Sequence, residues 1–93
     1  MAEQAFQNEV ISIADKNGWL WFHHPYECGK VCRGWPDLVL VHPRRKLLLF
    51  RELKSEIGPI RQEQKEFLDA LKAVEADAKI WRPNDWNEIV GVI

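Results

Sequence analysis

Two apolar runs separated by only four residues constrain the fold of this chain more than any other feature. DLVLVH (37–42) and LLLFRELK (47–54) are both typical of strands, and PRRK (43–46) lies between them. A connection this short can join antiparallel strands but not parallel ones, because a parallel pair needs a crossover of a dozen or more residues. The sequence therefore predicts a β-hairpin near the middle of the chain.

The hairpin predicts which side chains lie together at its open end. With His42 opposite Leu47, Asp37 falls opposite Glu52, and opposed residues share a face with Cβ atoms about 4.5–5.5 Å apart. Two carboxylates this close repel each other unless a cation lies between them, and Mg²⁺ takes one or two carboxylates plus water and substrate phosphate. Lys54 shares the face of Glu52. It could orient a water or stabilise phosphate charge, but a Glu–Lys pair also suits an ordinary strand end.

The other elements follow from apolar periodicity and from Gly and Pro. The sequence predicts a helix over 2–17, strands over 19–24, 37–42, 47–54 and 78–82, a loop over 25–35, a helix opening at Gly58-Pro59 and running to about Ala76, and a short final helix or turn over 84–92. A strand, a long helix and another strand imply a parallel crossover. The expected order is α-β-β-β-α-β-α, a mixed sheet flanked by helices, of α/β (α+β) class.

Length and charge bound the kind of protein. The 93 residues predict one domain, 1–93, and no apolar run approaches the roughly 20 residues of a membrane span. The N-terminus lacks a signal-peptide pattern, so a cytoplasmic protein without a membrane partner is expected. Net charge is −1, yet residues 30–61 hold eight basic and three acidic side chains. This segment could present one positive face to DNA, or its charges could simply be solvated.

Two helical polar residues break the apolar patterns. Gln64 falls within the stripe of the second helix, where a buried amide needs a partner; it either caps a core backbone group or faces a site between helix and sheet. That stripe consists of Ile60, Phe67, Leu71 and Val74. Glu9 lies at the edge of the first helix's stripe, where it either joins a metal shell or is an ordinary boundary residue. Arg51 points away from Glu52, and we expect it to pair with Glu63 or Glu66.

These residues together resemble a known family. The motifs are G-W-P-D (34–37), E-L-K (52–54), Gln64 within QEQKEFLDAL, and KIWRP followed by N-D-W. In this order and spacing they resemble the VRR-NUC (virus-type replication-repair nuclease) branch of the PD-(D/E)XK superfamily, with its restriction-endonuclease-like core. The resemblance extends over nearly the whole chain, from Glu9 to the C-terminal W-x-x-I.

The resemblance implies a role for each matching position. Asp37 and Glu52, with the backbone carbonyl of Leu53, would bind Mg²⁺ or Mn²⁺. Lys54 would orient or activate the attacking water. Gln64 matches the glutamine of the helix after E-x-K, and Glu9 the first-helix acid, which would act on a second metal or through water.

The resemblance also implies phosphodiester hydrolysis in DNA. Small stand-alone members resemble resolvase-like nucleases that act on branched DNA as homodimers, typically in phage and bacteria. Two rivals remain, a non-catalytic DNA-binding module with the same fold and a restriction-type duplex nuclease. The residues expected to contact DNA are His23, His24, Lys30, Arg33, Trp35, Arg44, Arg45 and Arg61. The other tryptophans are expected mainly in the core.

The segment HHPYECGKVC matches no motif of that family. It holds His24, Cys28 and Cys32 within ten residues that begin at His23. Zinc binding, a disulfide and free thiols are all open here, although C-x₃-C is not the usual zinc spacing and no second ligand pair follows.

Overall fold

A computed structural model describes residues 2–23 and 33–93 and contains one four-stranded mixed sheet. The elements are α1 (Glu3–Lys16), β1 (Leu20–His23), β2 (Leu38–His42), β3 (Leu47–Leu53), α2 (Gln62–Ala73), β4 (Asp77–Trp81) and α3 (Trp86–Val92), with a 3₁₀ turn at Pro83–Asp85. Their order is the one that the sequence predicts. None of the helices in the described ranges is long and apolar enough to cross a membrane.

The sheet has the strand order β1-β2-β3-β4. β2 is antiparallel to both β1 and β3, whereas β3 and β4 are parallel and joined through α2. In the β2–β3 hairpin Leu38 pairs with Arg51 and His42 with Leu47. The predicted hairpin register and the predicted mixed sheet are therefore confirmed. The register was predictable because a four-residue turn leaves one register that buries the leucines.

The main core lies between one face of the sheet and helices α1 and α3. Alternate residues of β2 and β3 face it, as period-2 patterning requires. The buried apolar residues of this core are Phe6, Val10, Ala14, Trp19, Leu38, Leu40, Leu49, Leu53, Trp81, Ile89 and Ile93. Arg51 is the buried charged residue of β3 on this face.

Helix α2 covers the opposite face of the sheet. Trp35 lies between sheet and helix, with its ring edge-on to Phe50 (5.9 Å between centroids) and to Phe67 (4.8 Å). Leu68 is buried beneath the same helix. The expectation that Trp35 is the tryptophan most available to bases is thus not met, since Trp35 is half-buried while Trp21 in the edge strand is 43% exposed.

Helix α2 is shorter than the sequence predicts. It begins at Gln62 rather than at Gly58-Pro59, because the backbone N–H of Arg61 donates to Oε1 of Gln64 (2.9 Å) and fixes the N-cap there. It ends at Ala73, so Val74 is the C-cap and is 75% exposed. The assignment of Val74 to the apolar stripe is therefore wrong.

Candidate active site

The segment before β2 is held against the start of α2. Gly34 has φ +80°, and a Cβ there would lie 2.6 Å from the carbonyl oxygen of Glu63. Only glycine tolerates both the left-handed backbone and this approach. Pro36 is fully buried, and Trp35 packs as described above. The Gly-Trp-Pro sequence therefore fixes the backbone that leads into Asp37.

Asp37 lies at the open end of the hairpin, next to the residues that follow in β3. Its Oδ2 accepts a hydrogen bond from the backbone N–H of Leu53 (2.9 Å). This bond links the residue before β2 to the last residue of β3, and the β2–β3 register ends one residue before Asp37, at the pair Leu38–Arg51. Asp37 and Glu52 thus come together as the predicted register requires, and the charge of Asp37 acts on Glu52.

Glu52 is a buried carboxylate with incomplete pairing. Its side chain is 1% exposed, and Oε2 accepts a hydrogen bond from Nε2 of Gln64 (2.8 Å). Nζ of Lys54 lies 3.7 Å from the same oxygen. Oε1 is buried and has no hydrogen-bond partner. Burial, and then the negative charge of Asp37, raise the pKa of Glu52 to about 8.

Gln64 was expected either to cap a backbone group or to face a site between helix and sheet, and it does both. Its Oε1 caps the backbone N–H of Arg61, and its Nε2 holds Glu52. Because both ends of the amide are engaged, the rotamer of Gln64 is fixed. The side chain therefore sets the position of the Glu52 carboxylate from the helix side.

These side chains line an open cavity of about 440 Å³ between α1, the sheet and α2. Its lining residues are Glu3, Gln7, His23, Asp37, Glu52, Lys54, Gly58, Pro59, Arg61 and Gln64. No group of three or more His, Cys, Asp or Glu side chains that could hold a metal ion occurs within residues 2–23 and 33–93. Any cation at Asp37 and Glu52 would need further oxygens from backbone, water or substrate.

The first helix contributes two residues to the cavity that the sequence analysis did not predict. Glu3 and Gln7 line the cavity, and Gln7 is buried to 9% exposure. Glu9 is exposed and is not a lining residue, because it lies two positions, or about 200°, around the helix from Gln7. The signal was available: positions 3, 7, 10 and 14 form one helical face, so Gln7 continues the stripe of Val10 toward the N-terminus.

The predicted DNA-contacting residues divide into four groups. His23 and Arg61 line the cavity, whereas Arg33 forms an exposed ion pair with Glu63 (3.2 Å) beside it. Arg44 and Arg45 lie in the hairpin turn, about 20 Å along β2 from Asp37, and Arg45 donates to the carbonyl of Val92. Trp35, the aromatic member of the set, packs between the sheet and α2. His24 and Lys30 lie outside the described residues, as do Cys28 and Cys32.

Arg51 does not pair with the covering helix as expected. It faces the main core, opposite to α2, so neither Glu63 nor Glu66 is its partner. Its Nη2 lies 2.8 Å from Oδ1 of Asp77, and Nη1 donates to the backbone carbonyls of Asp77 (2.8 Å) and Phe50 (3.0 Å). The guanidinium also lies over the Trp81 ring, 4.5 Å from its centroid. Arg51 therefore ties β3 to the parallel strand β4.

Comparison with known proteins agrees with the motifs. The family model of the VRR-NUC domain matches residues 3–83. A solved structure described as a VRR_NUC domain superposes with a TM-score of 0.71 at 22% identity, covering 86% of this chain and 83% of that chain. A search of curated proteins finds no match. The resemblance inferred from the motifs is confirmed: the chain belongs to the VRR-NUC domain family, which implies a nuclease-type function in DNA processing.

Proposed function

We propose that this domain is a Mg²⁺- or Mn²⁺-dependent endonuclease that hydrolyses phosphodiester bonds in DNA. The observation that carries the proposal is the carboxyl pair of Glu52 and Asp37. Oε1 of Glu52 is buried and accepts no hydrogen bond from a donor among the described residues, and burial, the charge of Asp37 and a side-chain hydrogen bond to it raise the pKa of Glu52. Buried polar atoms are nearly always satisfied. An oxygen left unsatisfied at the wall of an open cavity is what a divalent cation would use.

The residues present fit a hard divalent cation. Asp37 and Glu52 would hold it, with the backbone carbonyl of Leu53. Glu3 lines the same cavity, and we propose that it has the first-helix role that the sequence predicted for Glu9. When bound, the ion would polarise the scissile phosphate and lower the pKa of a water.

Lys54 supplies a positive side chain next to the two carboxylates. Its side chain is 12% exposed and its Nζ lies 3.7 Å from Glu52, a separation longer than a strong charge-assisted hydrogen bond. The ammonium can therefore donate to a water or to a phosphate oxygen in the cavity, where it stabilises the negative charge that develops during hydrolysis. Gln64 keeps Glu52 in place while this happens.

Gln7 is the second amide of the site. It is nearly buried and lines the cavity, so its donors and acceptor need partners there. We propose that Gln7 donates to the phosphate of the bound strand. Arg61 and His23, on other sides of the cavity, would contact neighbouring phosphates, which makes binding steeply dependent on salt.

The proposed substrate is branched DNA, cut by a homodimer in the cytoplasm of a bacterial or phage-infected cell. One domain with one candidate active site would cut one strand, so a symmetric junction needs two copies related by a two-fold axis. The edge strand β1 supports this, because Leu20, Trp21 and Phe22 are all exposed there and an apolar edge favours pairing with another chain. Trp21→Lys should shift a dimer toward monomer in sedimentation; an unchanged mass would reject β1 as the interface.

The test is cleavage of plasmid and of four-way junctions, with Mg²⁺ or with EDTA. Asp37→Ala and Glu52→Ala should abolish cation-dependent cutting while DNA binding persists. Asp69→Ala, an exposed carboxylate of α2 paired with Lys65, serves as the matched control and should cut normally. Cleavage retained in both site variants would reject the mechanism, and cation-independent binding without any cutting by the unaltered chain would favour a binding module.

A further inference from the structure

The connection between β3 and α2 carries an unusual side chain at its tip. Ile57 is 93% exposed, the largest value among the exposed large apolar residues of the described chain. A single exposed aliphatic residue is common on protein surfaces. Three features of its surroundings distinguish this one.

First, several hydrogen bonds hold the backbone of the loop that carries Ile57. Nη1 of Arg82 donates to the carbonyl oxygens of Ser55 (2.6 Å) and Glu56 (3.3 Å). The side chain of Glu56 accepts from the backbone N–H of Asn84 (2.6 Å), and the N–H of Gly58 donates to Ser55 (3.3 Å). A braced loop loses little conformational entropy when its tip contacts a ligand.

Second, the loop is part of the rim of the candidate active site. Lys54 before Ile57, and Gly58 and Pro59 after it, line the cavity. Third, two basic side chains, Lys54 and Arg61, line the cavity, while the acid next to Ile57, Glu56, is engaged by the backbone N–H of Asn84. Any DNA strand whose phosphate enters the cavity therefore passes close to the exposed Ile57 side chain.

We infer that Ile57 is an apolar wedge that packs against an unstacked base of branched DNA bound at this cavity. This inference rests on the proposed function. Intact duplex offers a rim residue mainly phosphates and sugars, which gain nothing from an aliphatic side chain. A branch point exposes base faces, and aliphatic residues that insert at base steps are an established way to hold distorted DNA. Ile57 thereby favours branched over linear DNA, while the phosphate contacts serve both.

The test measures binding in EDTA, so that it does not depend on cleavage. The probes are a four-way junction with 2-aminopurine at the branch and a linear duplex of the same sequence. Ile57→Ser should weaken junction binding roughly tenfold or more and leave duplex affinity within about twofold. Ile57→Leu should retain the junction preference, and 2-aminopurine fluorescence should change on binding in the Leu variant but not in the Ser variant.

Val74→Ser is the matched control, because Val74 is also exposed and lies at the far end of the 12-residue helix α2, about 18 Å along its axis. It should bind both probes normally, and unfolding midpoints of all variants should be unchanged. Equal weakening of junction and duplex binding by Ile57→Ser, or no weakening of either, would overturn the inference. Absence of cleavage with an intact junction preference would instead count against the proposed nuclease activity alone.

Discussion

Arg51 and Glu52 are adjacent on β3, face opposite sides of the sheet, and are both almost completely buried. They differ in their partners. Arg51 has an ion pair with Asp77, two hydrogen bonds to backbone carbonyls and the face of Trp81, leaving only Nε without a hydrogen bond. Glu52 has one amide partner, a lysine at 3.7 Å and a like charge beside it.

The difference separates a structural charge from a functional one. Burying a charge costs several kcal/mol unless a counter-charge and hydrogen bonds compensate. Around Arg51 the counter-charge is part of the fold, so the pair joins β3 to β4. Around Glu52 the nearby lysine, Lys54 at 3.7 Å, is outweighed by burial and by the negative charge of Asp37, and the pKa of the carboxyl rises to about 8. Carboxyls with such a raised pKa cluster at functional sites, and a bound cation would add the positive charge that Lys54 alone does not supply.

The largest expected effect is on cleavage. Glu52→Gln keeps the shape of the side chain and the contact with Gln64 but removes the charge that would bind a cation. We expect cation-dependent cutting to fall by at least about a hundredfold. Arg51→Met, assayed at a temperature where it is folded, should cut within a few-fold of the unaltered chain. A similar loss of cutting in both variants would erase the distinction between the two residues.

Arg51, which is not expected to matter for cleavage, should matter strongly for the stability of the fold. Arg51→Met leaves carbonyl oxygens of Phe50 and Asp77 without their donor, and we expect a loss of about 3 kcal/mol in the free energy of unfolding. Arg33→Met breaks an ion pair that is exposed (65% and 39% for the two side chains) and should cost less than about 1 kcal/mol. Urea titration measures both. A loss from Arg51→Met no larger than that from Arg33→Met would contradict a structural role for Arg51.

A smaller effect should appear in the pH dependence of stability without divalent cations. The pKa of Glu52 is about 8 in the fold against an ordinary value of 4.5, so the folded state holds this proton more tightly. The contribution of this proton to the free energy of unfolding is therefore complete below about pH 4.5 and is lost as the pH rises through about 8. Relative to Glu52→Gln, the unaltered chain should lose stability from pH 5 to pH 8, as urea midpoints would report. A constant difference between the two proteins would mean that the pKa is not raised.

The part of the site that depends on local geometry could be predicted from the sequence. A four-residue turn fixes the hairpin register, and that register alone brings Asp37 to Glu52. Gln64 was recognisable because an amide interrupts an apolar helical stripe. The fold class followed from the alternation of strand and helix patterns, since the parallel crossover through α2 has few alternatives.

The parts that depend on packing between distant elements could not be predicted in this way. The partner of Arg51 required the register of β4 against β3, where Arg51 pairs with Lys79, and no turn connects those strands directly. Glu9 was predicted from the edge of the apolar stripe and from the resemblance, whereas the lining of the cavity by Glu3 and Gln7 depends on which arc of α1 meets the cavity. Trp35 appeared exposed in sequence because it lies in a loop, but α2 covers it.

The most direct test of the central claim, that the buried carboxyl of Glu52 is part of a cation site, is calorimetric titration with Mn²⁺ at pH 7 in buffers of different ionisation enthalpy. Because the carboxyl with a pKa of about 8 is mostly protonated at that pH, binding should release roughly one proton per ion in the unaltered chain. Glu52→Gln should bind weakly and release none. Tight binding without proton release, or equal binding by Glu52→Gln, would contradict the account.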